Sequence, residues 1–181
     1  NEISVACAVA AQKNEGVYRL NVPTGGGKTL SSLRYALEHA KKYHKKRLFF
    51  VMPLLSIIEQ NAQEIRKAVQ DDSIILEHHS NVIDDENSDV EELNKRELLM
   101  QSWDNPIIIT TLVQLLNTMF LGKTSSVRRF NALCNSVIVF DEVQSVPNKM
   151  LTLFNLTINF LPKKCNATVI LSSATQPSFE N

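Results

Sequence analysis

The chain has 181 residues, a length that suits one domain, and its 44% hydrophobic and 21% charged residues are typical of soluble globular proteins. Its 19 basic and 19 acidic residues balance, which argues against a protein that coats nucleic acid with a broadly positive surface. The three cysteines form no CxxC pair, which argues against a zinc knuckle or a disulfide framework and predicts reduced thiols in a cytoplasmic protein.

Segments with strand and helix patterns alternate along the chain. This alternation predicts an α/β fold in which a mostly parallel sheet is covered by helices on both faces. In chain order, the pattern predicts a helix over 2–13, a strand over 17–21, a helix after residue 29, a strand over 48–52, a helix from residue 54, a strand over 74–76, a helix over 90–103, a strand over 107–110, a helix over 112–120, a strand over 136–140, a helix over 148–161 and a strand over 167–171.

Two charged segments interrupt this pattern. The first is the basic run of Lys41, Lys42, Lys45, Lys46 and Arg47. We interpret it as a solvated helix end that the helix dipole favours, in preference to a nucleic-acid patch. The second is the acidic segment 84–92, whose composition cannot bury enough apolar surface, so we expect an exposed loop.

The residues between the first strand and the next helix have the pattern of a phosphate-binding loop. They read Pro23, Thr24, Gly25, Gly26, Gly27, Lys28 and Thr29. The glycines let backbone N–H groups face the phosphates of ATP, and the start of the helix adds further donors. Lys28 is expected to contact the β- and γ-phosphates, and the Thr29 hydroxyl to bind Mg²⁺. Val22 replaces the first Gly of the strict pattern, a departure that resembles the loop of superfamily 2 helicases.

Two carboxylates follow the apolar strand predicted at 136–140. A strand that ends in acids places them at the carboxyl edge of the sheet, where ligands bind in open α/β folds. Asp141 is expected to hold Mg²⁺ through a bound water, and Glu142 to orient and polarise the attacking water. These roles make Lys28, Asp141 and Glu142 the candidate catalytic residues.

A third polar segment follows the last predicted strand and reads Ser173, Ala174 and Thr175. Taken alone, it is more typical of a helix N-cap than of a functional motif. In its order after Lys28 and the Asp141-Glu142 pair, it resembles the motif that couples the magnesium site of helicases to their nucleic-acid cleft.

The order of the three motifs resembles that of the superfamily 2 DExD/H helicases and, within them, the helicase–nuclease of type I CRISPR interference. The segments that carry the narrower resemblance read LNVPTGGGKTLSSLRYAL, MPLLSIIEQNA, HHSN, TTLVQLLNTMF and VIVFDEVQSVP. The resemblance runs from about Ile3 to Thr175. It implies that 1–181 is a single RecA-like P-loop NTPase domain, the first lobe of an ATP- and Mg²⁺-dependent translocase that moves 3′ to 5′ on single-stranded DNA.

The resemblance also implies partners and further site residues. Family members are recruited by a crRNA-guided surveillance complex, and they usually carry an HD-type nuclease upstream of the two helicase lobes. Gln144, where many members have His, would act in coupling. The implied DNA contacts are Pro53, Ser56, Thr110 and Thr111. His78, His79 and Ser80 either line the same cleft or belong to a solvated loop.

The chain begins with Asn and stops shortly after Thr175, so we expect a piece of a longer protein. In helicases a second lobe supplies arginine fingers, so the isolated residues are expected to bind nucleotide weakly and to hydrolyse ATP negligibly. Two alternatives stay open. One is another superfamily 2 DNA or RNA helicase or translocase, and the other is an ATP-binding switch that does not translocate.

Overall fold

The computed structural model describes residues 2–22, 27–79 and 90–174, and the elements below belong to these residues. The strands are β1 (Val17–Val22), β2 (Arg47–Met52), β3 (Ile75–His78), β4 (Ile107–Thr111), β5 (Ser136–Phe140) and β6 (Thr168–Ala174). The helices are α1 (Glu2–Ala10), α2 (Lys28–Tyr43), α3 (Leu55–Val69), α4 (Val90–Ser102), α5 (Leu112–Phe120), α6 (Thr124–Leu133) and α7 (Leu151–Cys165). This arrangement confirms the predicted α/β fold. No helix in the described part of the chain is long and apolar enough to cross a membrane.

The six strands form one sheet in the order β1-β6-β5-β2-β4-β3, and every pairing in it is parallel. The chain first moves outward from β1 to β2 and β3, and then returns through β4, β5 and β6. Crossovers between parallel strands are right-handed, so the outward and the return connections place their helices on opposite faces. The carboxyl ends of all six strands meet at a single edge of the sheet.

Two apolar clusters cover the two faces of the sheet. On one face α1, α2 and α3 pack on the side chains of Phe50 and Val139, among others. On the other face α5, α6 and α7 pack on Phe49, Ile138 and their neighbours. Alternate residues of one strand therefore enter different clusters, and for this reason the central strands are apolar at almost every position.

Several elements differ from their predictions, including α1, which ends at Ala10, and β3, which extends to His78. Helix α6 was not predicted from the sequence, although Ala132 and Leu133 at its end are buried in the core. Helix α4 confirms the helix predicted over 90–103, so residues 90–92 of the acidic segment are helical and the loop predicted over 84–92 does not include them. Residues 84–89 lie outside the described part. Helix α7 begins at Leu151, since residues 148–150 form a separate 3-10 turn.

The basic run 41–47 is also not the uniformly solvated helix end that we predicted. Helix α2 ends at Tyr43, and His44 adopts a left-handed conformation with a φ of 52°. The chain then turns so that the Lys45 side chain is fully buried. Its ammonium group donates a hydrogen bond of 2.7 Å to the Asn166 carbonyl and pairs with the Glu15 carboxylate. A buried ammonium requires such partners, and the carbonyl end of α7 is a favourable site for a positive charge.

We expect Lys45→Met to lower the free energy of unfolding by about 2 kcal/mol, because it leaves the Asn166 carbonyl and the Glu15 carboxylate without their partner. The exposed Lys46 is a matched control, and Lys46→Met should change the stability by less than about 0.5 kcal/mol. Urea unfolding followed by circular dichroism measures both values. Equal losses in the two variants would contradict the structural role assigned to Lys45.

Candidate active site

Three charged side chains converge at the carboxyl edge of the sheet. The Lys28 ammonium group lies 3.2 Å from Asp141 Oδ1 and also donates a hydrogen bond to Glu142 Oε1. The side chain of Asp141 is only 4% exposed, and a buried carboxylate needs partners to stabilise its charge. Those partners are Lys28 and the Glu142 backbone N–H, which donates to Oδ1 over 3.0 Å. The two predicted motifs therefore meet in space, as the sequence led us to expect.

The backbone at Glu142 explains how one lysine reaches both acids. In an extended strand, consecutive side chains point to opposite faces of the sheet. Strand β5 ends at Phe140, and Glu142 adopts a left-handed conformation with a φ of 49°. This turn brings the Asp141 and Glu142 carboxylates to the same ammonium group. A left-handed conformation is costly for a residue with a side chain, and such strain is concentrated at functional sites.

The described part of the phosphate-binding loop begins at Gly27. Gly27 is the N-cap of α2 and has a φ of 72°, a conformation that glycine adopts without strain. Lys28 and Thr29 follow in the first turn of α2, where backbone N–H groups are available to an anion. The other predicted loop residues, Pro23, Thr24, Gly25 and Gly26, lie outside the described residues.

A buried residue that sequence reasoning missed joins the two predicted magnesium ligands. The Thr29 hydroxyl donates to Asn61 Oδ1 over 3.1 Å, and Asn61 Nδ2 donates to Asp141 Oδ2 over 3.1 Å. Asn61 lies in α3 on the same helical face as Ile58 and Ile65, which are buried in the core. A polar residue on this apolar face was the available signal.

Thr29 and Asp141 offer a hydroxyl and a carboxylate, which are the hard oxygen donors that Mg²⁺ prefers. The described residues contain no cluster of three or more His, Cys, Asp or Glu side chains that could hold a metal ion without help. Mg²⁺ is usually bound by one or two carboxylates together with substrate phosphates. The residues present therefore fit a magnesium ion that arrives with a nucleotide.

The predicted coupling residues lie beside this cluster. Gln144 is exposed, and its amide group donates to Glu142 Oε2. The Ser173 hydroxyl donates to Asn21 Oδ1 over 2.9 Å. Gln144 and Ser173 line the same cavity of about 470 Å³. Ala174 pairs with Val22 at the end of β6, and Thr175 lies outside the described residues.

The four predicted DNA contacts lie at the ends of the adjacent strands β2 and β4. Ser56 is exposed in the first turn of α3, whereas Pro53 is buried. The fully buried Thr110 donates its hydroxyl proton to the His78 carbonyl over 2.8 Å, and the Thr111 hydroxyl caps α5 by accepting from the Gln114 N–H over 3.2 Å. Among these four residues, Ser56 is the one with an exposed side chain. A contact with DNA at these positions stays a prediction.

The two histidines at the end of β3, His78 inside the strand and His79 directly after it, are held by other side chains and are not a solvated loop. His78 Nδ1 accepts a hydrogen bond of 2.9 Å from the indole N–H of the buried Trp103. His79 is buried, and its Nε2 lies 3.1 Å from the Glu77 carboxylate. Ser80 lies outside the described residues. A role of these residues in a DNA cleft stays a prediction.

Comparison with known proteins extends these observations. Residues 4–181 match the sequence profile of the DEAD/DEAH box helicase family, which is nearly the whole chain. The chain is similar to the CRISPR-associated nuclease/helicase Cas3 of Haloferax volcanii, with 26% identity over 178 residues, and the match covers 88% of this chain and 19% of that protein.

Two solved structures share the fold. The crystal structure of T. fusca Cas3 with ATP aligns with a TM-score of 0.73 and 20% identity, over 97% of this chain and 20% of that one. A pre-nicking CRISPR RNA-guided surveillance complex contains a chain that aligns with a TM-score of 0.63 and 21% identity, over 94% of this chain and 18% of that one. The present chain thus spans about a fifth of the length of these relatives.

The contact between His78 and Trp103 generates a prediction about acid stability. Burial, followed by the nearby charges of Arg129 and His79, lowers the pKa of His78 from 6.5 to about 4. Below pH 6.5 the unfolded chain takes up a proton that the folded chain does not bind, so stability falls as the pH drops from 6.5 towards 4. We expect His78→Gln, which keeps an acceptor for the indole N–H, to flatten this fall.

The measurement is the free energy of unfolding in urea at a series of pH values between 7 and 4.5. Groups far from His78 contribute equally to both proteins, so the difference between wild type and variant reports on His78 together with its interactions with Arg129 and His79. The prediction would be contradicted if the free energy of unfolding fell equally with decreasing pH in the wild type and in His78→Gln.

Proposed function

The chain belongs to the DEAD/DEAH box helicase family, and from this premise we propose that it is the ATP-binding first lobe of a motor that translocates along single-stranded DNA in type I CRISPR interference. The observation that supports a nucleotide-hydrolysing site is the convergence of Lys28, Asp141 and Glu142 at the carboxyl edge of the sheet. In the proposed protein, a second helicase lobe and an HD nuclease belong to the same parent chain.

Lys28 is the residue proposed to meet the β- and γ-phosphates. Its side chain is 14% exposed, so the ammonium group is partly shielded from water yet open to a ligand at the sheet edge. The start of α2 adds backbone N–H donors and the positive end of the helix dipole, which favour an anion at the same place. When a nucleotide binds, the positive charge of Lys28 would be shared between the Asp141 and Glu142 carboxylates and the phosphates.

Thr29 and Asp141 are the residues proposed to hold Mg²⁺. Both are buried, at 6% and 3% exposure, and both are hydrogen-bonded in place by Asn61. When bound there, the metal would offset the negative charge of the phosphate oxygens.

Glu142 is the residue proposed to orient the attacking water and to accept its proton. Its two carboxylate oxygens are held by Lys28 and by the Gln144 amide, so the group has a fixed direction. Its side chain is 20% exposed, which leaves access for water from the sheet edge. A general base needs such placement within hydrogen-bonding reach of its substrate.

The proposed setting in CRISPR interference is supported by similarity alone. The Haloferax volcanii relative is a CRISPR-associated nuclease/helicase, and one structural neighbour belongs to a CRISPR RNA-guided surveillance complex. For this chain we therefore propose a crRNA-guided complex as the partner that loads the motor onto single-stranded DNA. The second lobe would supply the arginine fingers that complete the site, so the isolated chain is expected to hydrolyse ATP negligibly.

We expect Glu142→Gln in the full-length protein to lower the kcat of DNA-stimulated ATP hydrolysis by about 10²-fold or more, because the amide cannot accept the proton of the attacking water. ATP binding should be retained, since Lys28 and Thr29 are unchanged. As a contrast, Lys28→Met should weaken ATP binding itself. Steady-state kinetics and equilibrium binding of a fluorescent ATP analogue measure the two effects.

The same protein distinguishes the alternative functions. Stimulation of hydrolysis by single-stranded DNA and not by RNA supports the proposal, whereas stimulation by RNA would indicate another superfamily 2 helicase. Interference activity that survives Glu142→Gln would contradict the motor and indicate an ATP-dependent switch.

A further inference from the structure

Asn61 lies outside the three motifs but between the two proposed magnesium ligands. It is 7% exposed, and both ends of its amide group contact the site. Oδ1 accepts from the Thr29 hydroxyl and Nδ2 donates to Asp141 Oδ2, each over 3.1 Å. These three residues come from α2, α3 and the end of β5, so the hydrogen bonds join three separate elements.

The chemistry of Asp141 fixes which end of the amide faces which partner. An ionised carboxylate can only accept hydrogen bonds, so the NH₂ end of Asn61 must face Asp141. The carbonyl end then faces Thr29, whose hydroxyl has one proton to donate and two lone pairs. Because Asn61 accepts that proton, the lone pairs of the Thr29 oxygen point away from Asn61 and are available to a cation.

We propose that Asn61 is a positioning residue that sets the Thr29 hydroxyl and the Asp141 carboxylate for Mg²⁺, an inference that rests on the proposed nucleotide site. Asn61 itself does not touch the metal or the nucleotide. The other carboxylate oxygen of Asp141 is held by the Glu142 N–H and by Lys28, so with Asn61 in place both oxygens have a fixed direction. Groups that hold metal ligands in this way contribute substantially to metal affinity.

The contacts of Asn61 distinguish a role in positioning Thr29 and Asp141 from a role in packing the core. The neighbouring positions Ile58, Ala62 and Ile65 on its helical face are apolar and buried, so a purely structural residue there would be expected to be apolar as well. Asn61 instead uses its amide group on two residues of the site, Thr29 in α2 and Asp141 directly after β5.

A matched control exists at the opposite edge of the sheet. Asn105 is also 7% exposed, and its amide donates to the Ser73 carbonyl over 3.2 Å just before β4 begins. Asn61 and Asn105 thus have equal burial and differ in their distance from the site. The substitutions Asn61→Leu and Asn105→Leu keep the branched shape of the side chain and remove its hydrogen bonds.

The experiment is equilibrium binding of a fluorescent ATP analogue to the full-length protein, in EDTA and over a series of Mg²⁺ concentrations. We expect Asn61→Leu to bind the analogue in EDTA as wild type does and to require about 10-fold more Mg²⁺ for half of the metal-dependent gain in affinity. Asn105→Leu should require the wild-type concentration. Asn61→Ser, whose hydroxyl is too short to reach both partners, is the second variant and should behave as Asn61→Leu does.

The outcomes are distinct. A wild-type protein that does not bind the analogue, or binds it as well after Lys28→Met, would overturn the proposed function and this inference with it. A wild-type protein that binds with Mg²⁺, while both Asn61 variants keep its Mg²⁺ dependence, would overturn the inference and leave the proposed function standing. Equal shifts in the Asn61 and Asn105 variants would also overturn it, because they would reflect a general loss of structure.

Discussion

A parallel sheet is stable when helices cover both of its faces, and this constraint determines where the remaining features of the chain can lie. Two apolar layers satisfy this constraint, because α1–α3 cover one face of the sheet and α5–α7 cover the other. All strands run in one direction, so their carboxyl ends share one edge. At that edge the chain carries Lys28, Ser56 and Asp141 in the segments after β1, β2 and β5, and Thr111 at the end of β4.

The charged cluster at this edge illustrates how a folded chain holds buried polar groups by pairing them with one another. A buried carboxylate is costly unless it is paired and hydrogen-bonded. Asp141 pairs with the Lys28 ammonium group and accepts hydrogen bonds from a backbone N–H and from the Asn61 amide, so its negative charge is well compensated. Glu142 keeps more exposure and fewer partners. This difference agrees with the roles proposed above, in which Asp141 is a fixed metal ligand and Glu142 is a base that exchanges a proton with water.

Helix α3 connects two parts of the proposed mechanism. Its first turn carries the exposed Ser56, a predicted DNA contact, and its second turn carries Asn61. The helix therefore holds a predicted DNA contact and the amide that bonds to Thr29 and Asp141 on one element. The same segment belongs to the motif that resembles the type I CRISPR helicase–nuclease. That resemblance, and the broader one to superfamily 2 DExD/H helicases, is confirmed.

The sequence by itself determined the order of the six strands and of the described helices other than α6, because hydrophobic period is a local property. It also predicted that Lys28 meets Asp141 and Glu142, because both motifs follow strands whose carboxyl ends share one edge of the sheet. It did not reveal α6, a helix of 10 residues that lies between α5 and β5. Only the tertiary structure decided that Lys45 is buried and that Asn61 joins Thr29 to Asp141. Those outcomes depend on side chains far apart in the chain meeting across packed elements, and no local pattern records which surfaces meet.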